Sequence, residues 1–288
     1  MKTVETFRTI VLATDGSEDA SAAVDETIEL AAGSGATVHV VDVWDLEMRH
    51  RHDARDLEVH REAQRIVKDT VDRLTAAGVV ADETVFRADG NHVAAAIAQV
   101  VRQHDADLVV IGSRGLSEWR SLLDHSVSRE VLASIDCPVL IVRGRPGGLG
   151  AIRRIVVAVA GGDDVEPCVR AAAAVACTHP CRVSIIHVMQ SIVTVQGFGY
   201  AETEDEAEAV LANAHRQLEA RNISADRIVI PSGPVGEAIA RVAAEWNADL
   251  IVTGSSRMGS TGSLLLGSVS HDLLHRTDIP LLVAARQR

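Results

Sequence analysis

The chain has 288 residues, of which 47% are hydrophobic and 24% charged, so it is long enough for two globular domains and is neither disordered nor fibrous in composition. Its formal charge of -12 argues against a basic nucleic-acid-binding surface. Four cysteines are too few for a disulfide scaffold, the N-terminus has no signal-peptide pattern, and no apolar stretch approaches the length of a membrane span. We therefore expect a cytoplasmic protein that binds neither nucleic acid nor membranes.

Short β-branched segments alternate with helical patterns along the first half of the chain. Strands are predicted near residues 9–14, 37–43, 83–87, 107–111 and 138–142, with helices between them. The helical pattern over residues 55–77 places Ala63, Val67, Val71 and Leu74 on one face. This alternation predicts a parallel sheet with helices packed on it.

The second half of the chain repeats the first. Segments 8–32, 37–43, 104–115 and 126–142 correspond to 153–176, 182–188, 246–257 and 268–284, an offset of 145 residues that later falls to 142. Between the copies, residues 144–150 (GRPGGLG) have the composition of a linker. The sequence therefore predicts two domains of one fold, residues 1–145 and 146–288.

Motifs in both copies resemble those of the universal stress protein family, in its tandem two-domain form. The first copy has Asp15 after its first strand, Gly112 and Gly115 as a G-x-x-G loop after its fourth, and the closing segment CPVLIV at 137–142. The resemblance implies two five-stranded doubly wound α/β domains, like those of adenine nucleotide alpha hydrolases, paired about a pseudo-two-fold axis through their last strands. It also implies a regulatory protein of the stress response that binds AMP, ADP or ATP, with Mg²⁺ at the phosphates and no tightly bound metal.

In nucleotide-binding members of that family, the aspartate and the end of the second strand hold the nucleoside, while the glycine loop and the next helix start hold the phosphates. The matching positions in the first copy are Asp15, Val41, Gly112, Arg114, Gly115, Ser126 and Ser128. Glycines and a helix N-terminus suit phosphate because backbone N–H groups approach its oxygens closely. The alternative is ordinary loop structure, with Asp15 as a turn former or helix cap and the glycines in tight turns.

One position of the first phosphate site departs from the family pattern. His125 stands where a glycine is expected before the helix-start serine, and Asp124 adds negative charge beside it. We expect this end of the site to favour short phosphate chains over a full triphosphate.

The second copy departs elsewhere. Ala160 occupies the position of Asp15, and Arg257 occupies the second loop glycine. Its remaining candidates form a weaker site at Gly254, Arg257, Gly267, Ser268 and Ser270. The alternative is that the second domain is a degenerate partner that stabilises the first.

Other conspicuous residues receive structural interpretations. His271 and His275 lie four apart, but a zinc-peptidase helix also needs a glutamate base and a third ligand. Cys177 and Cys181 lack a second ligand pair and are predicted to be buried small apolar residues. The acidic residues at 202, 204, 205, 206 and 208 are expected to form a solvated face at a helix start.

Catalysis is not expected. Ser126 and Ser128 beside His125 do not lie in a nucleophile-elbow pattern, and no general base or metal-binding carboxylate pair for nucleotide hydrolysis is visible in the loops. The alternative to nucleotide binding is a scaffold that acts through protein–protein contacts, with an unidentified protein partner. The tandem pair itself is the expected intramolecular dimer, and a further homodimer is compatible with it.

Overall fold

The computed structural model describes residues 6–45, 54–88, 93–113, 135–143, 152–178, 180–194, 197–231, 233–255 and 267–285. Residues 7–149 belong to one compact unit, and residues 150–257 with 266–288 belong to another. We call them the N-terminal and C-terminal domains.

The N-terminal domain alternates strands and helices. Their order is β1 (Thr9–Ala13), α1 (Glu18–Ser34), β2 (Thr37–Asp45), α2 (Ala54–Ala76), β3 (Val80–Ala88), α3 (Val93–Gln103), β4 (Leu108–Ser113) and β5 (Val139–Arg143). The five strands pair in parallel in the order β3-β2-β1-β4-β5. This is the doubly wound arrangement that the alternating pattern predicts.

The central strands of this sheet are buried because helices cover their side chains. Ile10, Val11 and Leu12 of β1 have no exposed surface, as expected for β-branched and leucine residues in a parallel sheet. On α2, Ala63, Val67 and Leu74 are buried and Val71 is half-buried, which confirms the predicted apolar face.

The C-terminal domain has the same order with one addition. A short 3₁₀ turn precedes its first helix, and its elements are β6 (Arg154–Ala158), α4 (Val165–Ala176), β7 (Arg182–Val188), β8 (Ser191–Thr194), β9 (Gly197–Tyr200), α5 (Glu204–Glu219), β10 (Ala225–Ile230), α6 (Val235–Glu245), β11 (Leu250–Gly254), α7 (Ser268–Arg276) and β12 (Leu281–Ala284). The main sheet is parallel, in the order β10-β7-β6-β11-β12. The addition is the antiparallel hairpin β8–β9, inserted between β7 and α5.

An aspartate before the fourth strand ties that strand to the first in both domains. The Asp107 carboxylate accepts the backbone N–H groups of Arg8 and Thr9, with N–O distances of 2.9–3.1 Å. In the C-terminal domain Asp249 accepts those of Arg153 and Arg154, both at 2.9 Å. Charge-assisted bonds of this kind are stronger than neutral ones, so each fixes the register of two central strands.

The end of the first strand fixes the equivalence of the two copies. The Thr14 N–H donates to the Val41 carbonyl at 2.9 Å, and the Val159 N–H donates to the Ile186 carbonyl at 3.0 Å. The residues that follow are therefore equivalent: Ala160 to Asp15, and His187 to Asp42. Both pairs lie at the carboxyl edge of the sheet, beside the point where strand order reverses, which is where open parallel sheets bind ligands.

Candidate functional site

The first candidate site lies at the carboxyl edge of the N-terminal sheet. Asp15 is exposed, and its Oδ1 atom accepts the Ser17 N–H at 3.0 Å. Ser17 in turn caps α1, since its hydroxyl accepts the Ala20 N–H. Asp15 therefore shapes the turn, as the alternative interpretation proposed, but the helix cap is Ser17. The turn-forming role and a ligand-binding role are compatible because a carboxylate offers several lone pairs.

Val41 and Gly112 flank this turn on the two neighbouring strands. The Val41 carbonyl accepts the Thr14 N–H, so one of its two lone pairs is already used. On the other side, Ile111 is paired with Ala13, and Gly112 follows it at the same edge of the sheet. The structure thus brings three predicted residues together. Arg114, Gly115, Ser126 and Ser128, with Asp124 and His125, lie outside the described residues.

Asp42 is a second carboxyl group at this edge that the sequence reasoning missed. Its side chain is buried, with 7% of the residue exposed. Burial, and then the negative charge of Asp15, raise its pKa from 3.8 to about 6, while a hydrogen bond from the Val43 backbone opposes the shift. The signal was an acidic residue inside the apolar strand VVDV, immediately after Val41.

The second candidate site is a cavity of about 370 Å³ at the corresponding edge of the C-terminal sheet. Its walls come from the ends of β6, β7 and β11, from α4 and α6, and from the N-terminus of α7. Three predicted site residues line it, namely Gly254, Gly267 and Ser268. Ala160, at the position of the missing aspartate, lines it as well. The Ser270 hydroxyl instead donates to the Gly254 carbonyl at 3.3 Å, and Arg257 lies outside the described residues.

A buried histidine and a glutamate form the polar part of this cavity. His187 is 3% exposed, its Nδ1 lies 2.8 Å from the Val159 carbonyl oxygen, and its Nε2 lies 2.9 Å and 3.0 Å from the two carboxylate oxygens of Glu202. The interpretation of Glu202 as part of a solvated helix start was wrong. Helix α5 begins at Glu204 with Thr203 as its N-cap. Glu202 lies before the cap, at the end of the β8–β9 hairpin, and its side chain contacts His187 at the edge of the main sheet. Glu204, Asp205 and Glu206 do form the first turn of the helix as expected, and Glu208 lies just after it.

The prediction for two cysteines was also wrong. Cys177 is exposed and Cys181 half-buried, because they lie in the turn between α4 and β7 rather than inside an element. Burial, and then the neighbouring Cys177, raise the pKa of Cys181 to about 11. The rings of His271 and His275 are in contact on α7, with centroids 4.7 Å apart and ring planes tilted by 60°. Within the described residues no three His, Cys, Asp or Glu side chains are placed to hold a metal ion.

Comparison with known proteins decides the family. The sequence model of the universal stress protein family matches the chain twice, over residues 6–143 and 151–285. The chain belongs to the universal stress protein family. The tandem arrangement predicted from the internal repeat is confirmed by the two matches.

Named relatives are similar over parts of the chain. Universal stress protein Rv2005c of Mycobacterium tuberculosis is 28% identical over 189 residues, which cover 63% of this chain and 62% of that protein. A universal stress protein of Thermus aquaticus, encoded in the QAH/OAS sulfhydrylase 3' region, is 33% identical over 138 residues, 48% of this chain and 99% of that one.

A solved structure supports the fold of this universal stress protein over nearly its whole length. The crystal structure of a universal stress protein from Archaeoglobus fulgidus covers 97% of this chain and 98% of its own, with a TM-score of 0.78 and 23% identity. Among the helices in the described parts of the chain, none is both long enough and apolar enough to cross a membrane.

Proposed function

We propose that this universal stress protein is a regulatory protein that binds an adenine nucleotide in its N-terminal domain. The observation that carries the proposal is the meeting of Asp15, Val41 and Gly112 at the carboxyl edge of the sheet, beside the reversal of strand order. An acidic acceptor, strand-end backbone and a glycine at that edge are the parts that the family resemblance assigns to nucleoside and phosphate. They also suit the general ligand site of doubly wound sheets.

Each residue has a role in this proposal. Asp15 accepts hydrogen bonds from the nucleoside, and the backbone at Val41 contacts the base or sugar. Gly112, Arg114 and Gly115 hold the α and β phosphates, while Ser126 and Ser128 hold phosphate oxygens or a Mg²⁺ ion bound to them. His125 and Asp124 disfavour a third phosphate, so AMP and ADP should bind more tightly than ATP.

Replacement of Asp15 tests the site. We expect AMP to raise the melting temperature of the wild type, and Asp15→Ala to weaken AMP binding by about tenfold, the loss typical of one charge-assisted hydrogen bond. Asp15→Asn should lose a similar amount of affinity while keeping an acceptor for the Ser17 N–H, which separates loss of the charge from loss of the turn. Calorimetric titration with AMP, ADP and ATP gives the affinities.

Asp69→Ala is the matched control, because Asp69 is exposed on α2 and should leave AMP affinity unchanged. Equal AMP affinity in Asp15→Ala and Asp69→Ala would remove Asp15 from the site. Absence of any nucleotide-induced shift in the wild type would contradict the proposal and favour the scaffold alternative. Tighter binding of ATP than of AMP would contradict the roles given to Asp124 and His125.

A further inference from the structure

The cavity of the C-terminal domain has the size and position of a small-molecule site. Its volume of about 370 Å³ falls in the range of ligand pockets, roughly 300–1,000 Å³. Side chains such as Val159, Val188, Val235 and Ile239 make much of its wall apolar. The sequence comparison indicated a degenerate site here because Ala160 has replaced the aspartate, but the structure shows other polar groups at the same edge.

One of those groups is a buried hydroxyl that has no hydrogen-bond partner in the described part of the chain. Ser255 lines the cavity, is 3% exposed, and its Oγ atom makes no hydrogen bond within the described residues. Its backbone is fixed, since the Ser255 N–H donates to the Ala284 carbonyl at 3.1 Å. A buried polar atom left unpaired costs about 1–3 kcal/mol, so a ligand that bonds to this hydroxyl would recover that loss.

The start of α7 makes one end of the cavity favourable to an anion. Gly267 is the N-cap of this nine-residue helix, and no side chain among the described residues caps it. Gly267, Ser268 and Val269 all line the cavity. The first N–H groups of a helix have no partner within the helix and carry a partial positive charge, so this end of the cavity suits phosphate or carboxylate oxygens.

Glu202 supplies an acceptor at the same edge, and His187 fixes its position. A carbonyl only accepts, so the His187 Nδ1 carries the hydrogen that it donates to Val159. One proton must then lie between Nε2 and the Glu202 carboxylate, since two facing lone pairs would repel. The main chain holds Glu202 as well, because Ala201 N–H donates to the Gln190 carbonyl at 2.9 Å and Thr203 closes a capping box with Glu206.

The carboxylate remains available to a ligand. The Glu202 side chain is 22% exposed, and it lines the cavity together with Ala160. A carboxylate has about four lone-pair positions, so the bifurcated contact with one imidazole nitrogen leaves acceptor capacity.

We propose that the C-terminal cavity is a second ligand site in which Glu202, positioned by His187, is the hydrogen-bond acceptor that replaces the missing aspartate. The ligand class is a small organic anion of nucleoside monophosphate size. Its anionic group lies at the start of α7, its hydroxyl or amino donors meet Glu202, and a further polar group satisfies Ser255. The proposal goes beyond the N-terminal site and takes from the proposed function only the choice of AMP as the probe.

The test is calorimetric titration of AMP into the full chain in an Asp15→Ala background, which weakens the N-terminal site. We expect one equivalent of AMP to bind with unchanged affinity in this background. Adding Glu202→Gln should weaken that binding by about tenfold. Adding Ser255→Ala should weaken it severalfold and leave the contact between His187 and Glu202 unchanged. Circular dichroism melting of each variant shows that the domain is folded.

Glu219→Gln is the matched control. Glu219 pairs with His215 on the exposed face of α5 with an N–O distance of 3.3 Å, so the same chemical change is made to a His–Glu pair away from the cavity. Asp164→Asn is the competing variant, since Asp164 also lines the cavity. If Asp164→Asn weakens AMP binding and Glu202→Gln does not, or if Glu202→Gln behaves like Glu219→Gln, the assignment of the acceptor is wrong.

The pattern of stoichiometry separates this inference from the proposed function. Two equivalents in the wild type, with one weakened by Asp15→Ala and the other by Glu202→Gln, support both. One equivalent that is weakened by Glu202→Gln and unaffected by Asp15→Ala supports the C-terminal site alone. One equivalent that is weakened by Asp15→Ala and unaffected by Glu202→Gln overturns the C-terminal site and supports the N-terminal one.

The positioning role of His187 has its own readout. In ¹⁵N imidazole spectra at neutral pH, a His187 resonance identified by its loss in His187→Gln should show the Nε2 proton shared with Glu202, and Glu202→Gln should change that signal. The AMP affinities of His187→Gln, of Glu202→Gln and of the variant with both substitutions should be nearly equal, since the two residues act as one unit. Additive losses, or an Nε2 signal unaffected by Glu202→Gln, would contradict positioning.

Discussion

Asp42→Asn should make the N-terminal domain more stable than the wild type at pH 8, by about 3 kcal/mol. The pKa of Asp42 is raised from 3.8 to about 6 in the folded protein, so its ionised form is disfavoured there relative to the unfolded chain. A shift of this size corresponds to about 1.4 kcal/mol per pKa unit. Asparagine has the shape of the protonated acid and still accepts a hydrogen bond from the backbone, so it removes the cost of the charge.

The sign of the pH dependence follows from the raised pKa. Below about pH 4 the carboxyl group is protonated in both states and the advantage of asparagine vanishes; it grows as the pH rises through 6 and is constant above. Urea unfolding at pH 8 and pH 4.5, with hydrogen exchange of β1 and β2 amides to report on this domain, measures the difference. The benefit should be smaller in an Asp15→Ala background, because the Asp15 charge is the second cause of the shift. An equal benefit at both pH values would refute the charge explanation.

The two domains share a fold but present different chemistry at the same edge. Asp15 and Asp42 bring two carboxyl groups together in the N-terminal domain, and one of them is buried. The equivalent positions of the C-terminal domain hold Ala160 and His187, and the acid arrives from Glu202 instead. The N-terminal edge therefore carries two acids close together, whereas the acid of the C-terminal edge is paired with an imidazole. The two edges therefore differ in which polar groups they hold and in which elements supply them.

The sequence predicted the fold well because its signals are local and occur twice. Buried parallel strands are short β-branched runs, and all five predicted in the first copy are present, although β3 begins at Val80 rather than near residue 83. The repeat also placed Ala160 opposite Asp15, and the hydrogen bonds of Thr14 and Val159 bear out that alignment.

The polar groups of the sites were harder to predict because they depend on tertiary contacts. In the sequence, Glu202 looks like one of several acidic residues at the start of a helix. It lies next to His187 because of the path of the β8–β9 hairpin, which the sequence did not predict. Ser255 is hidden in a glycine–serine loop, where nothing in the sequence distinguishes a buried hydroxyl from an exposed one. The exposure of Cys177 was missed for a related reason, since element ends are the least certain part of a sequence-based assignment.

Gly16→Ala should destabilise the N-terminal domain by about 2–4 kcal/mol, the other large effect that we expect. Gly16 has φ of 73°, a left-handed conformation that costs a residue with a Cβ about 1 kcal/mol or more. The new Cβ would also lie 2.8 Å from both Cγ1 and Cδ1 of Ile66 on α2, and overpacking of this kind costs about 1–3 kcal/mol. Gly35→Ala is the matched control, since Gly35 has φ of 70° and, apart from its chain neighbours, no atom of the described residues lies within 4 Å of the added Cβ. The difference between their urea midpoints isolates the contact with Ile66. Equal destabilisation by the two substitutions would mean that α2 does not hold the turn in place. Gly16 directly follows Asp15, so a Gly16→Ala protein that stays folded should also bind AMP more weakly. Gly35→Ala should leave the AMP affinity unchanged.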